Sequence, residues 1–183
     1  MGLFVLTSLC LVPAEAGEPV LVTLETSLGN IVIALDEEKA PLTSANFIRY
    51  VKDGFYDGTV FHRVMDGFMI QGGGFDVNMK EKKTFEPVRN EADNGLKNER
   101  YSVAMARTDD PHSATSQFFI NVKDNEFLDH RAKNPRDWGY CVFGKVVEGR
   151  EVVDKIKAVP TRTRGYHENV PTVPALIKKA YLR

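Results

Sequence analysis

The sequence predicts an all-β-dominated fold, a sandwich or a barrel carrying two helices. Three observations lead there. Most of the regular pattern is short segments that alternate apolar and polar residues at a period of two, only two stretches have apolar residues at helical spacing, and no repeat, low-complexity tract or composition shift divides the chain. The length of 183 residues, with 43% hydrophobic and 27% charged side chains, suits one domain that buries a real core.

The elements follow in order. Val20–Glu25 and Asn30–Leu35 alternate around Ser27-Leu28-Gly29-Asn30, which reads as a β-hairpin. Pro41–Val51 has proline near its start, apolar residues at helical spacing and Gly54 beyond its end, the marks of a short amphipathic helix. Strand patterns recur at Thr59–Val64, Phe68–Gln71, Tyr101–Ala106, Gln117–Val122 and Cys141–Val147. A second short helix is expected over Glu148–Lys157, with Val152, Val153 and Ile156 on one face, and Ala175–Leu182 reads as a closing strand. Asp76–Leu96 and Asp124–Asp137 are long polar connections of the kind that shape binding sites on a rigid sheet.

At the N-terminus, Gly2–Val12 is almost wholly apolar and is followed by Pro13-Ala14-Glu15-Ala16. A short hydrophobic core ending in a small-x-small site is the pattern of a secretory signal cut after Ala16, although no Lys or Arg precedes it. The bland reading is an N-terminal strand or buried arm. The run is shorter than the ~20 residues that span a bilayer. Cleavage would remove Cys10 and leave Cys141 alone, hence no internal disulfide, in a domain spanning 17–183. With 24 basic against 25 acidic residues, the balance argues against nucleic acid or an anionic membrane surface as partner.

Several chemistries lack their residues. There is no phosphate-binding Gly-x-x-x-x-Gly-Lys-Ser/Thr loop, no dinucleotide fingerprint and no Gly-x-Ser-x-Gly elbow. His62, His112, His130 and His167 are scattered without metal-ligand spacing, so no metal site is expected. Cys141 lies in an apolar segment, where a buried inert thiol is the expected state.

The informative stretch is Phe61-His62-Arg63-Val64-Met65-Asp66-Gly67-Phe68-Met69-Ile70-Gln71-Gly72-Gly73-Gly74-Phe75. It reads as a hairpin turning at Asp66-Gly67 and ending in a flexible glycine run. Alternation puts Met69 and Gln71 on one face, with Phe68 and Ile70 on the other. In Ser116-Gln117-Phe118-Phe119-Ile120, Gln117 and Phe119 likewise share a face opposite Phe118 and Ile120. A sheet face that mixes Arg, Gln, Met and Phe suits an apolar pocket with a few polar anchors. The plainer alternative is an ordinary barrel with Arg63 in a surface ion pair.

Phe61–Val64 followed by Gly67–Gly73, then Ser116–Ile120 and Val142-Phe143-Gly144-Lys145-Val146, resemble in order the blocks of cyclophilin-type peptidyl-prolyl cis-trans isomerases. The resemblance runs from about Val20 to the C-terminus. It implies a closed antiparallel eight-stranded β-barrel capped by two α-helices, and an enzyme that accelerates rotation about X–Pro bonds without a cofactor. It also implies Arg63 as the catalytic residue; Phe68, Met69, Phe119 and Leu128 as the proline pocket; Gln71 and Gln117 as polar contacts; and Ala104, Met105 and Ala106 as the strand lining the groove, with Met105 acting through its backbone where the family usually has Asn. Phe127 and Tyr140 complete the substrate-binding set, at places where many eukaryotic members carry Trp and His.

Without an indole N–H at Phe127, weak cyclosporin binding is implied. These substitutions and the longer Asp129–Gly139 loop are similar to bacterial members. With the export signal they imply a monomeric periplasmic protein acting on proline-containing, unfolded or flexible exported chains, with no stable membrane association after cleavage; a non-functional signal would leave it in the cytoplasm. The alternative within the same fold is a chaperone-like module that binds proline peptides with little turnover.

Overall fold

The computed structural model describes residues 18–183; the expected export segment, its cleavage point and Cys10 lie outside them. Ten strands form: β1 (Leu21–Thr26), β2 (Gly29–Leu35), β3 (Thr59–Met65), β4 (Met69–Asp76), β5 (Ser102–Met105), β6 (Phe118–Asn121), β7 (Val142–Glu148), β8 (Thr161–Arg164), β9 (His167–Pro171) and β10 (Ala175–Leu182). Two α-helices, α1 (Pro41–Lys52) and α2 (Arg150–Lys157), and two short 3-10 helices, Ala92–Asn94 and Glu126–Leu128, complete the regular structure among the described residues. Eight strands close a barrel in the order β1-β10-β3-β4-β6-β5-β7-β2, every pair antiparallel. Closure leaves no free sheet edge.

Inward side chains follow the period of two. Val22, Leu24, Ile31, Ile33, Ile70, Val103, Phe118, Ile120, Phe143 and Ile177 meet in the barrel core. The helices plug opposite ends: α1 follows from the Leu35 end of β2, while Val152 of α2 packs over Gly29 at the other, where an added Cβ would sit 2.7 Å from a Val152 methyl. Phe47 of α1 lies 5.0–5.4 Å from the rings of Tyr56, Phe118 and Phe143. No residue at the start of α1 caps it with a side chain. The Glu91 carboxylate does so from 48 residues away, accepting the Thr43 N–H and hydroxyl at 2.8 and 2.7 Å.

Four details differ from the sequence reading. Tyr101 and Ala106 fall outside β5, and Gln117 outside β6, because those strands end where their pairing ends. Cys141 precedes β7, and α2 begins at Arg150 after Gly149 takes a left-handed φ of 82°. The Gly72-Gly73-Gly74 run is β-strand rather than a flexible tail: Gly73 has φ 82°, and its missing side chain leaves room for Phe118 and Tyr56, each 2.9 Å from where a Cβ would stand. Finally, β8 and β9 form an extra hairpin outside the barrel, with β8 exposed throughout and so without any apolar period.

Candidate active site

The site is a row of side chains running across the outer face of five neighbouring strands. Arg63 pairs with Gln71, Gln71 with Phe119, Phe119 with Ala104 and Ala104 with Val142. Met69 stands one pleat away from Gln71 on the same face. The alternate row, Val64, Ile70, Ile120 and Val103, points into the core.

A β-bulge sets where Arg63 points. Phe61 pairs with Gly72 and Arg63 with the adjacent Gln71, so His62 is one residue too many on β3. On an unbroken strand Phe61 and Arg63 would share a face. The extra residue leaves Phe61 wholly buried in the core and turns Arg63 outward, half-buried beside Gln71. Its Nη1 donates to Gln71 Oε1 at 3.5 Å, a long contact that leaves the guanidinium donors largely uncommitted, and Gln71 Nε2 donates to Gln117 Oε1 at 2.9 Å. Gly74 makes that amide chain possible, because a Cβ there would lie 2.5 Å from Gln117 Cγ.

Beside these polar groups is an apolar hollow. Met69, Ala104, Phe119, Leu128 and Val142 are buried together, and Met65, Phe68, Leu96, Ala106 and Tyr140 pack against them. The Tyr140 ring meets Phe119 edge-on at 5.7 Å. Phe127 forms the rim: it is 60% exposed and stacks on Phe68 at 5.6 Å. The Arg63 guanidinium carbon lies 6.0 Å from the Phe68 ring centroid.

One expectation is corrected. Alternation assigned Phe68 to the face of Ile70. Phe68 belongs instead to the turn before β4, held by its N–H to Met65 O, so it leans over the apolar hollow while Ile70 points into the core. The Met105 side chain lies in the inward row with Phe61, Gly72 and Phe118 and is 2% exposed, and its N–H donates to Cys141 O at 3.0 Å. From this segment it is Ala104, Ala106 and then Arg107 that reach the outer face. Arg107 escaped the sequence reading; it lies over the Tyr140 ring at 4.5 Å.

Three buried asparagines behind the site also escaped it. Asn125 Nδ2 donates to Phe68 O at 2.9 Å and to Asn121 Oδ1 at 2.7 Å, and Asn121 Nδ2 donates to Asn98 Oδ1 and Ser102 Oγ. The Val122 N–H reaches the same Phe68 carbonyl, so the turn carrying Phe68 is tied to the turn carrying Phe127 and Leu128. The one signal in the sequence was Asn121, an amide inside the apolar run Phe118–Val122.

The other reactive groups are accounted for. Burial pushes the Cys141 thiol up to about 11, with Thr43 Oγ1 3.4 Å from its sulfur, so it stays protonated. Burial, then His167, holds His62 down at about 4, so it is neutral beside Arg63. Among the described residues no three His, Cys, Asp or Glu side chains gather as metal ligands, and no helix is long and apolar enough to cross a membrane. A separate hollow of about 990 Å³ lies on β2 and β7 with Leu35, Asp36, Leu96 and Lys145 in its walls, and neither Arg63 nor Phe119 lines it.

Residues 21–182 match the family model described as cyclophilin type peptidyl-prolyl cis-trans isomerase. A peptidyl-prolyl cis-trans isomerase of Streptomyces antibioticus is 58% identical over 87% of this chain and 96% of its own length. Peptidyl-prolyl cis-trans isomerase A of Dickeya dadantii is 59% identical over 87% of this chain and 82% of its own. A cyclophilin-type isomerase of Cryptosporidium parvum, crystallised in the presence of the dipeptide Ala-Pro, shares the fold with a TM-score of 0.73 at 24% identity, covering 89% of this chain and 98% of that one. The chain therefore belongs to the family of cyclophilin-type peptidyl-prolyl cis-trans isomerases and is an enzyme of that class.

Proposed function

We propose that Arg63 is the catalytic residue and that Phe68, Met69, Phe119 and Leu128 hold the pyrrolidine ring while the X–Pro bond turns. The observation that carries this reading is the bulge at His62, which sets an uncommitted guanidinium at the edge of the apolar hollow. The prolyl amide resists rotation because its nitrogen lone pair is delocalised into the carbonyl, with a barrier of roughly 20 kcal/mol. Halfway round, the lone pair returns to a pyramidal nitrogen that can accept a hydrogen bond.

A fixed, permanently charged donor beside that nitrogen favours the twisted state over either planar isomer, and no bond need break. Gln71 and Gln117, joined to each other, hold a flanking carbonyl of the client. Tyr140, Ala104 and Ala106 line the path of the chain, and Phe127 closes it from the rim. The polypeptides that fit are flexible ones, whose proline can enter a shallow hollow.

Arg63→Ala is expected to lower kcat/KM on an Ala-Pro peptide by on the order of 10²–10³, the loss seen when one preorganised donor worth about 3–4 kcal/mol is removed. NMR exchange spectroscopy reads this directly and also separates catalysis from passive binding, which leaves isomer exchange slow. Near wild-type exchange in the variant would remove Arg63 from the mechanism.

We further propose that the protein acts as a monomer on exported chains in the periplasm after removal of residues 1–16, a reading supported by the apolar run and the small-x-small site. N-terminal sequencing from cells tests it, with a start at Gly17 expected and an intact Met1 refuting it.

A further inference from the structure

We infer that a notch walled by Arg107, Arg131 and Arg136 binds a carboxylate side chain of the client, so that Asp or Glu near the proline raises catalytic efficiency. This rests on the isomerase reading above and names the substrate class it favours.

The notch is a separate hollow of about 220 Å³, formed where the Asp129–Gly139 loop folds back beside the proline pocket. It shares walls with that pocket, because Phe127 and Tyr140 line both. A chain seated in one therefore passes into the other.

Three guanidiniums and two carboxylates, Asp129 and Asp137, line it. Both carboxylates already accept hydrogen bonds, and the three guanidiniums outnumber them. Asp129 Oδ1 accepts the Asn98 N–H at 2.8 Å and Asn98 Nδ2 at 3.1 Å, with Lys97 Nζ 3.5 Å from Oδ2. Asp137 Oδ2 accepts Asn134 Nδ2 at 3.1 Å. The cations are less committed. Arg131 and Arg136 are exposed and make no ion pair and no side-chain hydrogen bond among the described residues.

Arg107 is held in place instead, its Nε donating to Gly139 O at 3.1 Å, its Nη1 to Thr108 O at 2.8 Å and its face lying on Tyr140. Such an arrangement offers a fixed donor and two mobile forks. That is the geometry for a planar carboxylate, and it repels a lysine.

The test uses proline peptides with Glu, the isosteric Gln, or Lys placed in turn at each of the two positions on either side of the X–Pro pair. Exchange spectroscopy gives kcat/KM and shift titration gives Kd, on wild type and on the Arg131→Gln, Arg136→Gln double variant. At one position Glu is expected to raise kcat/KM and to lower Kd about fivefold relative to Gln at low salt, and Lys to do the reverse. The preference is expected to vanish in the double variant, whose kcat/KM on the Gln peptides stays at the wild-type level.

Equal values for Glu and Gln at every position would overturn the inference, and so would a Glu preference that survives in the double variant. Because Kd reports on the notch without turnover, a preference in Kd with no exchange on any peptide would support the notch while sinking the isomerase reading alone.

Discussion

Acidification from pH 7 to pH 4 should weaken the fold by about 3 kcal/mol through one side chain, the bulge residue His62. It is 5% exposed, its ring packs 4.7 Å from that of Phe75, and its Nδ1 has no hydrogen-bond partner. Burial above all, then the neighbouring His167 and the Arg63 charge, holds its pKa down at about 4, against a contact with the Val60 backbone that raises it. In the unfolded chain it titrates near 6.5. Between those values the unfolded state carries a proton that the folded state refuses, so stability rises with pH across the window. The fold is free of the penalty above about 6.5 and bears it in full near 4.

At about 1.4 kcal/mol per pH unit, the gap between 6.5 and about 4 corresponds to roughly 3 kcal/mol. Urea titrations of wild type and His62→Phe at pH 7, 5.5 and 4 measure it. Phenylalanine keeps the tilted ring contact with Phe75 and removes an orphaned nitrogen, so the two proteins are expected to agree within about 1 kcal/mol at pH 7 and to separate as pH falls, the variant becoming the more stable. Asp93, held below the usual carboxylate range by its hydrogen bond from Lys133, also loses its contribution in acid, but equally in both proteins. Parallel pH profiles would refute the assignment to His62.

Three further outcomes test the site. Phe119→Ala is expected to raise KM and to cost about 3–5 kcal/mol of stability, read from urea melts, because it empties the floor of the apolar hollow. Gly74→Ala places a methyl 2.5 Å from Gln117 Cγ and should cost about 1–3 kcal/mol by overpacking, along with several-fold in kcat/KM; adding Gln117→Ala should restore the melting temperature but not the activity. Phe127→Trp, at a residue 60% exposed, should leave stability unchanged and tighten cyclosporin binding by about tenfold in a fluorescence titration, through one added N–H donor.

The parts of the site legible in sequence were those fixed by local alternation. Gln117 and Phe119 opposite Phe118 and Ile120, and Met69 and Gln71 opposite Ile70, follow from the pleat, and each stands on the face so assigned. What alternation missed depends on partners distant in the chain. The bulge at His62 exists only because β4 offers one residue fewer than β3, and no feature of Phe61-His62-Arg63 by itself announces that count. The inward phase of the Met105 side chain on β5 follows from its pairing with Phe118, a partner the local sequence does not show. The β8–β9 hairpin buries so little of itself that it has no period to detect. The Asn98, Asn121 and Asn125 network, like the Glu91 cap on α1, joins residues whose separation hides the bond.

These long-range features matter because of what the reaction demands. Turning an amide moves no proton and makes no bond, so on the proposed mechanism the rate rests on where the guanidinium and the apolar hollow are held relative to each other. Both sides of that spacing are fixed by backbone. Arg63 is set by the bulge pairing it to Gln71, and Phe68 by two donors converging on its carbonyl from Val122 and Asn125. A barrel closed on itself, with β4 paired on both edges, gives those anchors little room to drift. The same closure explains the cost accepted at His62. A neutral histidine with an unpartnered nitrogen is a poor core residue, but a residue inserted at that point keeps the arginine on the outside of the strand, half-buried beside Gln71.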